Sequence, residues 1–460
     1  MLTASSRTAI VIPSEEFAAR AGGTIRYQRL IDAAPPGALR MVSLRDLDES
    51  DDAYIFSKVY HPIAPALAAH LAARGKPVSL DIFDDYFSEE DDVRLAGYRR
   101  WLSQMSAHVN AITVSTDALA TRLSPLCRQT PRVVPDPQPS IAPGGVASAL
   151  AQHPAPDPRR LHFGWFGMAS NPLFPVGLRD LAACAGALGS VPGNHRITVL
   201  TNLSGADDSA LAAMASMPVP VTLLPWTQHA QDDLIAKADA ILLPVNAQNF
   251  STAKSLNRAV TALVGGAQVI SLGAPLYAAL DRFIYRSVSA FAADAARGRL
   301  RHNPERIAEF ANVLLQHAGA EAAAATFLEA AATSGVSKRP PVAILLGRAT
   351  PLPETKLALP LLIRAGLNRG PCDADVTLGP KIRLNERAIS ALPRALRRKV
   401  RHGELAAKAL GLPAPPPGEL PRNPMRAHLH LSARRGAAER LAQALLPDHV
   451  IMFADHGGLP

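Results

Sequence analysis

Short unbroken apolar runs punctuate the first two-thirds of the chain, each followed by a polar loop and a stretch with helical spacing. In residues 1–140 the runs are Thr8–Ile12, Arg40–Val42, Ala53–Phe56, Pro77–Ile82, Ala111–Val114 and Arg132–Val134, with helix-compatible segments such as Ile63–Ala73 and Ala118–Leu123 between them. Apolar runs without alternation mark strands covered on both faces. Their regular exchange with helices predicts an α/β, doubly wound parallel sheet. Residues 141–158 continue a Pro-, Gly-, Ser- and Ala-rich stretch that reads as a linker. The rhythm resumes over 159–336 with Leu161–Phe166, Ile197–Thr201, Val221–Leu224, Ala238–Leu243 and Gln268–Leu272, and the alanine-rich Pro304–Ala332 closes it as helix. Residues 337–460 are proline-rich and fit no recognisable fold, with strands expected only at Val342–Leu346 and Val450–Phe453.

Composition sharpens this division. A chain of 460 residues with 48% hydrophobic and 19% charged residues has material for several packed domains. Charge is uneven: from Ser337 onward 20 Lys/Arg face 9 Asp/Glu, so a whole-chain charge of +9 leaves residues 1–336 slightly acidic. Three distant cysteines (Cys127, Cys184, Cys372) form neither a disulfide framework nor a metal motif, and no signal-peptide pattern opens the chain; a cytoplasmic protein is expected. Ala259–Leu280 is uncharged, but Gly265-Gly266, Gln268, Gly273 and Pro275 divide it into buried helix, turn and strand rather than a membrane span.

The chemistry concentrates after the Ala238–Leu243 strand, where Val245–Arg258 is a polar loop opening into a helical pattern. Such a loop is where open α/β sheets bind ligands, and a helix N-terminus offers N–H groups to phosphate. Lys254 and Arg258, four apart, are expected on one helical face as a cationic pair, with Ser251 and Thr252 as hydroxyl donors or caps. The alternative is a surface helix with two solvated basic residues. Earlier, Leu161–Asn171 is a strand ending in a glycine loop, and Trp226 follows Leu223-Leu224-Pro225. Gly167 lets backbone approach a phosphate or simply makes a tight turn; Trp226 shapes a base pocket or packs a strand end.

Together, Leu161–Asn171, Trp226, Ala238–Pro244 and the run Lys254-Ser255-Leu256-Asn257-Arg258 resemble the donor domain of GT-B glycosyltransferases, in particular bacterial family 4-like members. Ala21–Tyr27, Asp81–Phe87 and Thr113–Asp117 resemble their acceptor domain more loosely, and residues 5–335 are covered. The resemblance implies two Rossmann-like domains, a nucleotide-diphosphate sugar donor, a glycan or lipid-linked acceptor, polysaccharide biosynthesis, and hexosyl transfer without a bound metal or cofactor. It also implies donor contacts at Gly167, Ser170, Asn171, Trp226, Ser251, Thr252, Lys254, Ser255, Asn257 and Arg258. One departure stands out: retaining members carry a glutamate ahead of the last donor-domain helix and another within it, and the corresponding positions are Ala253 and Thr261. A catalytically silent sugar-nucleotide-binding protein and a GT-B sugar-nucleotide epimerase are therefore the competing readings.

An inverting reaction needs a base near the acceptor hydroxyl. His61 and Asp84 are the leading candidates over Asp81 and Asp85, each also readable as a structural residue. Asp46-Leu-Asp48 and Asp373-Ala-Asp375 have the letters of a metal motif without its strand context. The basic cluster Arg394–Arg401 suits peripheral contact with anionic membrane or glycan, pairing within a small third domain, or a partly disordered tail. Nucleic acid is not expected, because Phe453 is the one aromatic beyond Ser337.

Overall fold

A computed structural model of the chain describes residues 6–334 apart from Pro62 and 139–142, together with five strands farther on. The first lobe is a six-stranded parallel sheet ordered β2-β1-β3-β4-β5-β6. Its strands are β1 (Thr8–Ile12), β2 (Leu39–Ser43), β3 (Ala53–Ser57), β4 (Val78–Ile82), β5 (Ala111–Val114) and β6 (Arg132–Val133). The second lobe is a five-stranded parallel sheet ordered β11-β10-β7-β8-β9. It comprises β7 (His162–Phe166), β8 (Arg196–Thr201), β9 (Val221–Pro225), β10 (Ala240–Leu242) and β11 (Gln268–Ile270). Every residue of β1, β3 and β4 is buried, as continuous apolar runs require, whereas the edge strand β9 is largely open. The two doubly wound sheets expected from the sequence are present. Helix starts follow local chemistry: the hydroxyls of Thr116, Thr227 and Ser287 accept the N–H three residues on.

Two segments depart from expectation. The linker-like stretch carries a helix, Pro143–Gln152, whose Val146 is buried in the second lobe's core beside Val260, Leu263 and Phe310. Proline at a first helical position is compatible with that start. The alanine-rich closing segment is not one helix of the second lobe. It breaks at Gly319, where a Cβ would lie 2.7 Å from the Leu315 carbonyl oxygen. Beyond the break, helix Ala320–Ala331 crosses back to the first lobe and packs Ala323, Ala324, Phe327 and Ala331 against Ile10, Ile12, Tyr27 and Val134.

The described strands beyond residue 336 form a mixed sheet ordered β15-β14-β13-β12-β16, from β12 (Ala343–Leu346), β13 (Leu361–Ala365), β14 (Ala374–Leu378), β15 (Ile382–Leu384) and β16 (Val450–Phe453). The two strands expected there pair with each other in parallel, Ala343 opposite Val450 through Leu346 opposite Phe453. Arg394–Arg401 lies outside the described residues. No described helix is long and apolar enough to cross a membrane.

A buried histidine in the second lobe gives a pH signature. His302 is 1% exposed; its Nε2 bonds the Leu263 carbonyl at 2.8 Å, and its Nδ1 has no partner. Burial pushes its pKa down from 6.5 to about 4. The unfolded chain therefore binds the proton first, and stability is full above pH 6.5 and declines as pH falls towards 4. A loss of about 3 kcal/mol is expected across that window. Urea midpoints between pH 7 and 4 check it, and His302→Gln should flatten the dependence.

Candidate functional site

In each sheet the strand order reverses at one point, β1/β3 in the first lobe and β7/β10 in the second. Ligands of open α/β sheets bind outside the carboxyl ends of the strands at such points. Lys58 leaves β3 with φ 54, a left-handed conformation uncommon for a residue other than glycine and concentrated at functional sites. Its ammonium donates to Asp84 Oδ2, while Lys254 of the second lobe donates to Asp84 Oδ1. Burial alone would raise the Asp84 pKa; the ammonium groups of Lys254 and Lys58 outweigh it and hold the carboxyl at about 2. Burial pushes Lys58 down against the pull of Asp84. Lys58 lies 4.4 Å from the Phe83 ring and Lys254 3.9 Å from the Phe250 ring, cation–π contacts that orient both.

Arg258 reaches the end of β7. Its guanidinium donates to the Phe166 carbonyl and faces the rings of Trp165 and Phe166 at 5.4 and 5.6 Å. Its Nε is shielded from water and has no partner, and it forms no ion pair with any carboxylate among the described residues. Burial lowers its pKa against the opposing influence of Tyr277 and Asp180; a guanidinium nonetheless remains charged. Gly167 makes room for it: a Cβ there would sit 3.0 Å from the Trp165 ring and 3.2 Å from Arg258 Nη2. The Gly167 N–H is already given to Leu200 O at 3.1 Å, so this glycine supplies space rather than its own donor for a phosphate.

The Lys254–Arg258 run is arranged differently from the shared helical face expected. The helix begins only at Asn257 and runs to Val264, leaving Lys254 outside it. Three side chains of the run grip the first lobe instead. Lys254 meets Asp84, Ser255 Oγ donates to Asp136 at 2.6 Å, and Asn257 Oδ1 accepts from Arg29 at 3.0 Å and Gln138 at 2.8 Å. Thr252 donates back to Gln248 O at 3.0 Å and accepts from Arg122 of the first lobe at 2.7 Å, so it neither caps the helix nor stands open. Ser251 sits beside it in the one-turn helix Asn249–Thr252. Ala253, at the first glutamate position, is 1% exposed in the first lobe's core cluster, its carbonyl accepting from Thr116 at 2.9 Å.

The glycine-loop residues serve the loop. Ser170 donates to Gly205 O at 2.6 Å, and Asn171 accepts the N–H groups of Leu173 and Phe174 at 2.9 and 3.2 Å. That turn delivers Phe174 to a stack on Phe250, centroids 4.2 Å apart, beside Tyr86 of the first lobe. Trp226 lies 39% exposed at the end of edge strand β9, its Nε1 donating to Gln231 at 2.9 Å; its N–H donates to the Thr201 carbonyl, and the Thr201 hydroxyl donates to the Gly167 carbonyl.

Among the base candidates, Asp81 is a structural node. It takes two bonds from Arg26 at 2.7 Å and one each from Tyr27 and Thr113 at 2.6 Å, and is 1% exposed. Asp85 accepts the N–H groups of Phe87 and Ser88. His61 Nδ1 accepts the Ile63 N–H at 3.0 Å, so the neutral ring carries its proton on Nε2 and is a donor there. Asp84 is at the interface, with both oxygens held by lysines. Asp46 and Asp48 bond Ser43 and Ser50 beside them; Asp375 lies in β14 and Asp373 outside the described residues. Lys58 and Arg122 escaped the sequence reading. The local signal for Lys58 is its place as the first charged residue after the apolar run Ala53–Phe56.

Several solved structures are similar to this chain. HepE of Anabaena, in complex with UDP, aligns at 11% identity and TM-score 0.49, covering 70% of this chain and 98% of that one. An α,α-trehalose 6-phosphate synthase of Burkholderia multivorans aligns at 12% and 0.47, covering 71% and 98%. WaaG, a glycosyltransferase involved in lipopolysaccharide biosynthesis, aligns at 13% and 0.43, covering 71% and 99%. No family model and no curated protein matches the sequence.

Proposed function

We propose that this chain is a glycosyltransferase that takes a sugar from a nucleotide-diphosphate donor gripped at the β7/β10 switch point and passes it to a glycan or lipid-linked acceptor held by the first lobe. One observation carries the reading: Arg258 is a half-buried cation with a shielded, unpartnered Nε, bonded to a strand-end carbonyl and in no ion pair among the described residues. Burying an unpaired charge is costly, so the arrangement calls for an anion that visits. Lys254, also of the second lobe, supplies a second positive charge, its ammonium reaching Asp84 of the first. The leaving diphosphate gains charge as the glycosidic bond breaks, and preorganised cations are what such a step needs. In this reading the side-chain cations carry that neutralisation, and transfer proceeds without a divalent ion.

Incubation with UDP-, GDP- and ADP-sugars in EDTA, scored by nucleoside diphosphate release, tests it. Slow release with at least one donor supports the reading. Binding without release across the panel supports a silent sugar-nucleotide-binding protein instead, which is favoured by the alanine and threonine at the two glutamate positions. Activity abolished by the chelator and restored by manganese overturns metal independence.

A further inference from the structure

We propose that Asp84 is a stand-in anion: it holds Lys58 and Lys254 between the lobes until the donor's diphosphate displaces it, so that Lys58 of the first lobe becomes a third cation on the bound diphosphate. This rests on the reading that the crevice takes a nucleotide-diphosphate donor.

The geometry argues for exchange rather than a permanent bridge. Two ammonium groups, one from each lobe, share a single carboxylate, which leaves the cluster with a net charge of +1; side-chain exposure is 16% for Lys58, 11% for Asp84 and 36% for Lys254, so the cluster is open to an arriving ligand on the Lys254 side. Arg258, four residues on from Lys254, adds a third cation that makes no ion pair among the described residues and feels Asp180 only at longer range. A nucleotide-diphosphate sugar brings about two negative charges, which these cations can share. Lys58 is aimed by a backbone conformation that a lysine adopts only when its surroundings enforce it, and its ammonium sits against Phe83 and, at 5.3 Å, Tyr86. A lysine stem is long and rotatable, so an ammonium can leave one oxygen for another without backbone motion. The charged groups around Asp84 are Lys58 and Lys254, with Asp81 acting on Lys58 and the hydroxyls of Tyr60 and Tyr86 behind them.

The test uses full-length protein and measures dissociation constants for UDP, GDP and inorganic pyrophosphate by calorimetry. Lys58→Asn suits the left-handed backbone while removing the charge. It is expected to weaken nucleoside diphosphate and pyrophosphate binding by about 10-fold, the worth of one charge-assisted hydrogen bond. Asp84→Asn removes the competitor and is expected to tighten binding several-fold; being nearly isosteric, it also guards against a Lys58 variant that fails to fold. Unchanged affinity in Lys58→Asn, or weaker binding in Asp84→Asn, overturns the exchange. If Arg258→Met still weakens binding while Lys58→Asn and Asp84→Asn do not, only the exchange falls. If the unmodified protein binds none of the three probes, the donor reading falls with it.

Discussion

Replacing Arg258 by methionine should cut nucleoside diphosphate release by about 10²–10³-fold, the usual cost of deleting one preorganised transition-state donor. The substitution keeps much of the side-chain volume against Trp165 and Phe166, so the loss would come from the missing charge. Stability should respond the other way. A half-buried guanidinium with a shielded, unpartnered Nε and no ion pair among the described residues costs stability, and exchanging it for an apolar chain is often neutral or stabilising. The expected signature is therefore lost turnover with an unchanged or higher urea midpoint. Turnover and midpoint falling together would instead make Arg258 a packing residue. Because donor binding and chemistry both use this cation, KM should rise and kcat should fall.

Asp81→Ala should have the largest effect on folding, about 3–5 kcal/mol. It removes two of the four bonds of the Arg26 guanidinium, 1% exposed, leaving it Asp136 at 2.8 Å and the Val134 carbonyl at 2.9 Å, and takes the acceptor from the Tyr27 and Thr113 hydroxyls. Burial alone would push Arg26 down, yet Asp81 and Asp136 raise it, and burial together with Asp81 raises Tyr27. The network spans the first lobe: the π-helix Gly23–Gln28 supplies Arg26 and Tyr27, β4 supplies Asp81 and β5 Thr113. Replacing Asp81 and Arg26 together by apolar residues should recover part of the loss, since it removes a buried cation left with half its bonds; Asp136 keeps the bond from Ser255. Urea denaturation of the single and double variants reads this directly. A single-variant cost below about 1 kcal/mol, the scale of an exposed ion pair, would remove Asp81 from the role of structural node.

The inner strands such as β1, β3 and β4 were legible because parallel strands buried on both faces must be apolar throughout, and the more open edge strands β6 and β9 were legible from their place in the strand–helix rhythm. What escaped was set by distant contacts. Lys254 to Leu256 have helix-compatible residues, but bonds from Lys254 and Ser255 to Asp84 and Asp136 hold them outside the helix. Ala320–Ala331 reads as a helix from its alanines, yet nothing in those alanines says which sheet it will cover. The Pro143-Gly144-Gly145 start disguised a helix that is held by burial of Val146 rather than by propensity. At the site, the basic run itself was visible, while its partners were not: Asp84 lies 170 positions from Lys254, and Arg29 lies 228 from Asn257. Lys58 was invisible for the same reason.

Helix Ala320–Ala331 belongs by contact to the first lobe although the chain reaches it from the second, so the polypeptide passes between the lobes twice. The two passages touch, Gln138 N–H donating to Ala318 O at 2.9 Å. Neither lobe can then be excised by one cut: a fragment ending ahead of Gly319 would bare the apolar flank of the β1 sheet.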